Sequence, residues 1–178
     1  MCRITRIEGR EWPGMVCGGR WQATHFDRTD GLVRVETAAG ARAVRRGFLG
    51  VPEVVQQGRL IAESQALQWG LAEETVQDAV LVVSELLTNA VRATQGQPVS
   101  LRMVLSEAGL RVEVWDASPV RPEASAPDLS MPEGPVPGDA PDPGGWGLGI
   151  VECLSAERGV RAELDGKIVW ALLNAVYR

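Results

Sequence analysis

The stretch LVVSELLTNAVR, residues 81–92, constrains this chain more than any other. Val76, Val80, Val83, Leu87 and Ala90 recur at helical spacing and form one apolar stripe. A helix carrying such a stripe has to lie against a core. Glu85 and Asn89 stand four residues apart and share a different face. A carboxylate and a carboxamide one turn apart can offer oxygens to the same small space. One can polarise a water or a hydroxyl, and the other can ligate a hard cation such as Mg2+. Taken alone, the pair is a weak signal, since polar residues on the outer face of an amphipathic helix are usually just solvated. Its setting in the rest of the chain decides between the two.

Before that helix, residues 32–36 (LVRVE) alternate apolar and polar, as a half-buried strand does. Residues 41–49 (ARAVRRGFL) are the expected hairpin partner across TAAG. Pro52 suits a first helical turn, and Val54, Leu60, Ile61 and Leu67 predict an amphipathic helix over residues 53–69. Gly58 weakens that helix by up to ~1 kcal/mol relative to Ala, and Gly70 stops it. Glu73 and Glu74 then sit in the first turn of the central helix, where carboxylates favour the positive end of the dipole. That helix ends before Gly96 and Pro98. Val99, Leu101, Met103 and Leu105 face one way along a strand, and Glu107, Ala108 and Gly109 turn the chain. In the next strand Leu110, Val112 and Val114 set the apolar face, and the period of two places Asp116 inward. An inward acid at a strand end needs a hydrogen-bond donor, or its burial is costly and shifts its pKa.

Residues 119–144 break the pattern, with eight of the chain's eleven prolines and few large apolar side chains. Such a segment cannot bury enough to order itself, so it is expected to be a mobile loop. Lying between the inward acid and a glycine cluster, it suits a lid. Gly145-Trp146-Gly147-Leu148-Gly149 is expected to open a helix to about residue 156, with Ile150, Val151 and Leu154 inward and Gly159 as its cap. Residues 160–164, the Asp165-Gly166 turn and residues 167–173 predict a closing hairpin.

The 178 residues fit one domain with an appendage: an extension over residues 1–30 and a domain over residues 31–178. The net charge of −5 and the scattered basic residues give no nucleic-acid footprint. Arg42, Arg45 and Arg46 form the one tight cluster, and three such residues are expected to be a solvated strand edge. No run of ~18 apolar residues suggests a membrane span. The opening MCRITRIEGREW lacks a signal-peptide core. Three cysteines do not make a disulfide framework, so a reducing, cytoplasmic setting is expected. Cys2, Cys17 and His25 match no metal-site spacing.

Glycines at alternate positions before a helix let the backbone approach a ligand, where N–H groups and the dipole favour phosphate. The same spacing fits a tight turn. It is not a dinucleotide fingerprint, because a proline-rich loop rather than a strand precedes it, and no Gly-Lys-Ser/Thr makes it a P-loop. Taken together, a Glu/Asn helix, a strand ending in an inward acid, a loop and a glycine-rich helix start describe a nucleoside-triphosphate site without a P-loop.

At this point the sequence resembles the Bergerat-fold (GHKL) ATPases, the superfamily of gyrase, histidine kinases and MutL. Within it, the chain looks most like the anti-sigma-factor serine kinases and their actinobacterial relatives. The resemblance runs from about Arg42 to the C-terminus and rests on SELLTNAVR, VEVWDASP, GGWGLGIV and DGKIVWALL, in that order. It implies an α+β, two-layer sandwich: a mixed, largely antiparallel sheet covered on one face by about three helices. It also implies ATP and Mg2+ as cofactors. Glu85 would be the general base or water-orienting carboxylate, and Asn89 would ligate Mg2+. Asp116 would accept from the adenine amino group, beside Ser118. Gly145, Gly147, Leu148 and Gly149 would line the phosphates under a lid over residues 119–144. Implied partners are a sigma factor and a serine-bearing anti-anti-sigma factor, and the resemblance allows a homodimer. Three positions depart from the family pattern: Ser118 for a glycine, Ala93 for a histidine and Ile168 for a threonine able to bond near the adenine. The implied activity is an ATP-dependent serine kinase that sequesters a sigma factor; the alternative is a nucleotide-binding regulator without kinase turnover.

Overall fold

The computed structural model describes residues 34–38, 41–120 and 146–178, with 34–38 and 146 as backbone. The expected extension over residues 1–30 and all but the first two residues of the expected lid lie outside these, as do Cys2, Cys17 and His25.

Among the described residues, six strands form one sheet in the order β1-β2-β3-β4-β6-β5. They are β1 (Arg34–Ala38), β2 (Ala41–Leu49), β3 (Pro98–Ser106), β4 (Gly109–Asp116), β5 (Glu157–Glu163) and β6 (Gly166–Leu173). Among the described residues every pairing is antiparallel. The helices are α1 (Glu53–Gln68), α2 (Glu73–Ala93) and α3 (Trp146–Leu154). The result is an α+β two-layer sandwich with the helices on one face of the sheet.

The period-two patterns hold. Val99, Leu101, Met103 and Leu105 lie across from Asp116, Val114, Val112 and Leu110, and β6 repeats the layer with Val169, Ala171 and Leu173. These apolar side chains join Val76, Val83, Leu87 and Ala90 of α2 in one core. Each Val, Leu or Met side chain among them, fully buried, is worth about 1.5–3 kcal/mol.

Gly58 has a different role from a mere helix weakener. It is buried where α1 crosses α2, and a Cβ there would lie 2.1 Å from Leu87 Cδ1 and 3.2 Å from Val83 Cγ1. The missing side chain lets the two helices approach. The inner face of α1 is Val54, Gly58, Ala62, Gln65 and Ala66, whereas Leu60 and Leu67 point outward.

Two expectations at the sheet are corrected. Arg42, Arg45 and Arg46 are not on a strand edge, because β2 runs between β1 and β3. Arg46 pairs across from core Leu101, and its guanidinium lies 5.8 Å from the Phe48 ring. Nor does Gly159 cap α3, which ends at Leu154; Gly159 sits inside β5 opposite Trp170. A Cβ there would lie 2.9 Å from that indole. The ring needs the space, and the sequence offers no sign of it.

The C-terminal residues tie back to the α1–α2 turn. Ala72 N donates to Val176 O (2.8 Å), Val176 N to Thr75 Oγ1 (3.2 Å) and Arg178 N to Gly70 O (3.0 Å). No described helix is long and apolar enough to cross a membrane.

Candidate functional site

The site gathers at one end of the sandwich, and the connections explain why. β3 starts within five residues of the end of α2, so the last turns of α2 stand over the β3 start. Asp116, the last residue of β4, pairs with Val99 there, and Lys167 near the start of β6 pairs with Asp116. The Glu85–Asn89 face of α2 and the end of β4 therefore occupy the same end of the molecule.

Glu85 and Asn89 are half-buried rather than solvated. The Glu85 carboxylate lies against the first turn of α3: a Cβ on Gly147 would fall 2.2 Å from its Oε2 and 3.1 Å from its Cδ. A side chain at position 147 would push that carboxylate aside. The run opens the helix, as expected. Gly147, Leu148 and Gly149 are the helix's own first turn, where its unpaired N–H groups and positive dipole end lie. A Cβ on Gly149 would meet open space, and Leu148 is half-buried. Gly145 is outside the described residues.

Asn89 carries the clearest sign of a missing partner. Its Nδ2 is buried and makes no hydrogen bond among the described residues. A buried amide N–H left unpaired costs about 1–3 kcal/mol, and an acceptor such as a phosphate oxygen against Nδ2 would recover it. The donor set suits Mg2+ held with nucleotide phosphates. No group of three or more His, Cys, Asp or Glu gathers among the described residues. Mg2+ typically takes one or two protein oxygens and completes its shell from phosphates and water. The unpaired Nδ2 thus fits a phosphate acceptor, and the amide oxygen of Asn89 is the atom that would hold Mg2+ beside it.

Asp116 is buried, as its strand period requires. Its Oδ1 accepts from Ser118 N (2.9 Å) and from Lys167 Nζ (2.7 Å), and Lys167 also donates to Ser118 O (3.1 Å). Burial pushes the Asp116 pKa up, and these hydrogen bonds and the Lys167 charge pull against it without cancelling it. Ser118 Oγ accepts from Val120 N (3.2 Å), so the serine braces the turn as well as supplying a small residue.

Lys167 is the residue that sequence reasoning missed. The expected departure near the adenine was Ile168, but Ile168 pairs with Trp115 and lies on the sheet face turned away from the helices. The residue beside Asp116 is Lys167. The Asp165-Gly166 turn was the available signal, since it starts the strand and fixes which residues point inward.

Two comparisons bear on what this arrangement is. The family model of the histidine kinase-like ATPase domain matches residues 50–173, which holds α1, α2 and every described site residue. Among the solved structures that match is that of the RsbU and RsbW domains of a Mycobacterium tuberculosis protein. The identity is 15%, the TM-score 0.54, and the match covers 75% of this chain but 32% of that one. The match thus spans about a third of that chain's length, and the likeness is one of fold. No curated protein matches the sequence. Its matched span covers most of its length, and the chain belongs to the histidine kinase-like ATPase domain family.

Proposed function

We propose that the chain is an ATP-binding, anti-sigma-factor-like regulator that phosphorylates a serine of an anti-anti-sigma partner and sequesters a sigma factor. The observation that carries this reading is the approach of the Glu85 carboxylate to the glycine-built first turn of α3. It sets a proton acceptor beside the place where backbone N–H groups and a helix dipole favour phosphate. Bound ATP with Mg2+ supplies the transferable phosphoryl group and offsets its charge.

The chain's own residues do the rest. Glu85 takes the proton of the attacking serine hydroxyl at a carboxylate oxygen. Asn89 holds the metal through its amide oxygen. Gly147, Leu148 and Gly149 give the phosphates backbone N–H groups, and Gly145 belongs to the same run. Asp116, held by Ser118, accepts from the adenine amino group. Residues 119–144 act as the lid over the site. Phosphoryl transfer needs little beyond positioning and charge neutralisation, so a site this small suffices. The domain division into residues 1–30 and 31–178, the homodimer and a cytoplasmic setting complete the reading.

The test is to incubate the chain with Mg2+, γ-labelled ATP and a serine-bearing anti-anti-sigma protein. Label on the partner serine is expected, and it disappears with Glu85→Ala while ATP still binds. Undiminished ATP binding without any labelled serine would replace the kinase with a nucleotide-binding regulator that has no turnover.

A further inference from the structure

Lys167 is a buried cation that the proposed chemistry does not use. With Asp116 it forms a pair on the helix side of the sheet, the side chains 5% and 2% exposed. Its Nζ spends two of its three N–H donors, on Asp116 Oδ1 at 2.7 Å and on Ser118 O at 3.1 Å. Both hydrogen bonds to Asp116 land on Oδ1, because the second comes from Ser118 N. Oδ2 and the third ammonium proton have no partner among the described residues. An unspent acceptor therefore stands beside an unspent donor at the end of β4.

The pair is held in place from below. Gly166 has φ +153°, and a Cβ on it would fall 2.1 Å from Asp116 O and 2.9 Å from Ala117 Cα. The turn is pressed against the strand end, so the Lys167 side chain starts from a fixed point. A ligand amino group does not displace it: separating a buried, hydrogen-bonded ion pair costs more than one new hydrogen bond returns. A base entering this end meets the pair as it stands.

We propose that Lys167 is a specificity-determining residue that reads the nucleotide base together with Asp116, donating to adenine N1 while Asp116 Oδ2 accepts from the 6-amino group. The inference rests on the nucleotide-site reading above. A carboxylate only accepts and an ammonium only donates. Adenine offers a donor at position 6 and an acceptor at position 1, which matches the pair. Guanine offers an acceptor at position 6 and a donor at position 1, so in the same pose it sets like against like at both. The pair selects for one purine and against the other, where Asp116 alone would reward only the amino group.

The test measures binding of ATP, GTP and 1-deaza-ATP, in which N1 is replaced by CH, with Mg2+ by calorimetry. Wild-type protein is expected to bind 1-deaza-ATP about ten- to a hundredfold more weakly than ATP, the loss for one hydrogen bond to a charged donor. Lys167→Met is expected to bind ATP and 1-deaza-ATP alike and to discriminate less against GTP. Equal wild-type affinity for ATP and 1-deaza-ATP overturns the proposal and leaves the nucleotide site standing. So does a Lys167→Met variant that keeps the wild-type ratio, which is what a lysine that merely neutralises Asp116 would give. If Lys167→Met fails to fold, the wild-type comparison decides alone. Absence of ATP binding to the wild-type protein overturns the site reading itself, a separate and visible outcome.

Discussion

Asp116 is a carboxylate that this fold holds at a cost. Its pKa lies above the usual value of 3.8, chiefly through burial. A carboxyl raised in the folded state binds its proton more tightly there than in the unfolded chain. Its charged form therefore costs stability, fully so above the folded pKa, and the cost fades as pH falls towards 3.8. Protonation also removes an acceptor from the base. ATP affinity is thus expected to drop on acidification with a midpoint above 3.8, and binding titrations across that range check it; Asp116→Asn should lack the step. The same variant leaves the Lys167 ammonium buried without a counter-charge, at about 3–5 kcal/mol. Urea denaturation reads that loss directly, and a near-neutral substitution would show that the pair is not closed in solution. Glu85 tests the chemistry instead. Glu85→Ala should slow transfer by about two to four orders of magnitude with little change in ATP affinity, and single-turnover kinetics separate the two.

Among the elements, α1, α2 and α3 meet through glycines, and each contact makes a different forecast. Gly58→Ala gains helix propensity of up to ~1 kcal/mol but drives a methyl into the buried Leu87 and Val83. Overpacking of that kind costs about 1–3 kcal/mol, so the melting temperature is expected to fall by a few degrees. A rise would mean that the crossing is looser than described. Gly147→Ala meets only the far end of the flexible Glu85 side chain. It should leave stability within about 0.5 kcal/mol, as substitutions outside the core do, yet lower transfer by turning the carboxylate aside. Both effects turn on what lies opposite a glycine, and that is where legibility ended. The periodicity of α2, β3 and β4 was plain because each buries one face against one core. Burial at Gly58, the indole over Gly159 and the inward turn of Arg46 depend on partners distant in sequence. No local pattern encodes them.

At the scale of the whole molecule, the sandwich brings α2, the end of β4 and the start of β6 to one end, and the candidate site follows from that topology. The order of the motifs was readable in the chain, and so were Glu85, Asn89 and Asp116. Lys167 was legible only in part: the Asp165-Gly166 turn and the alternation to Val169, Ala171 and Leu173 turn it inward, but that it faces Asp116 depends on the pairing of β4 with β6, strands distant in sequence. The tie between residues 176–178 and the α1–α2 turn was invisible, resting on backbone groups that carry no side-chain signature. The central claim is that this assembly binds a nucleotide through Asn89 and a metal. Calorimetry of ATP and ADP with the purified chain, with and without Mg2+ and alongside Asn89→Ala, tests it most directly. The account predicts Mg2+-dependent binding that Asn89→Ala abolishes while the protein stays folded. Binding indifferent to both Mg2+ and Asn89, or no binding at all, would contradict it.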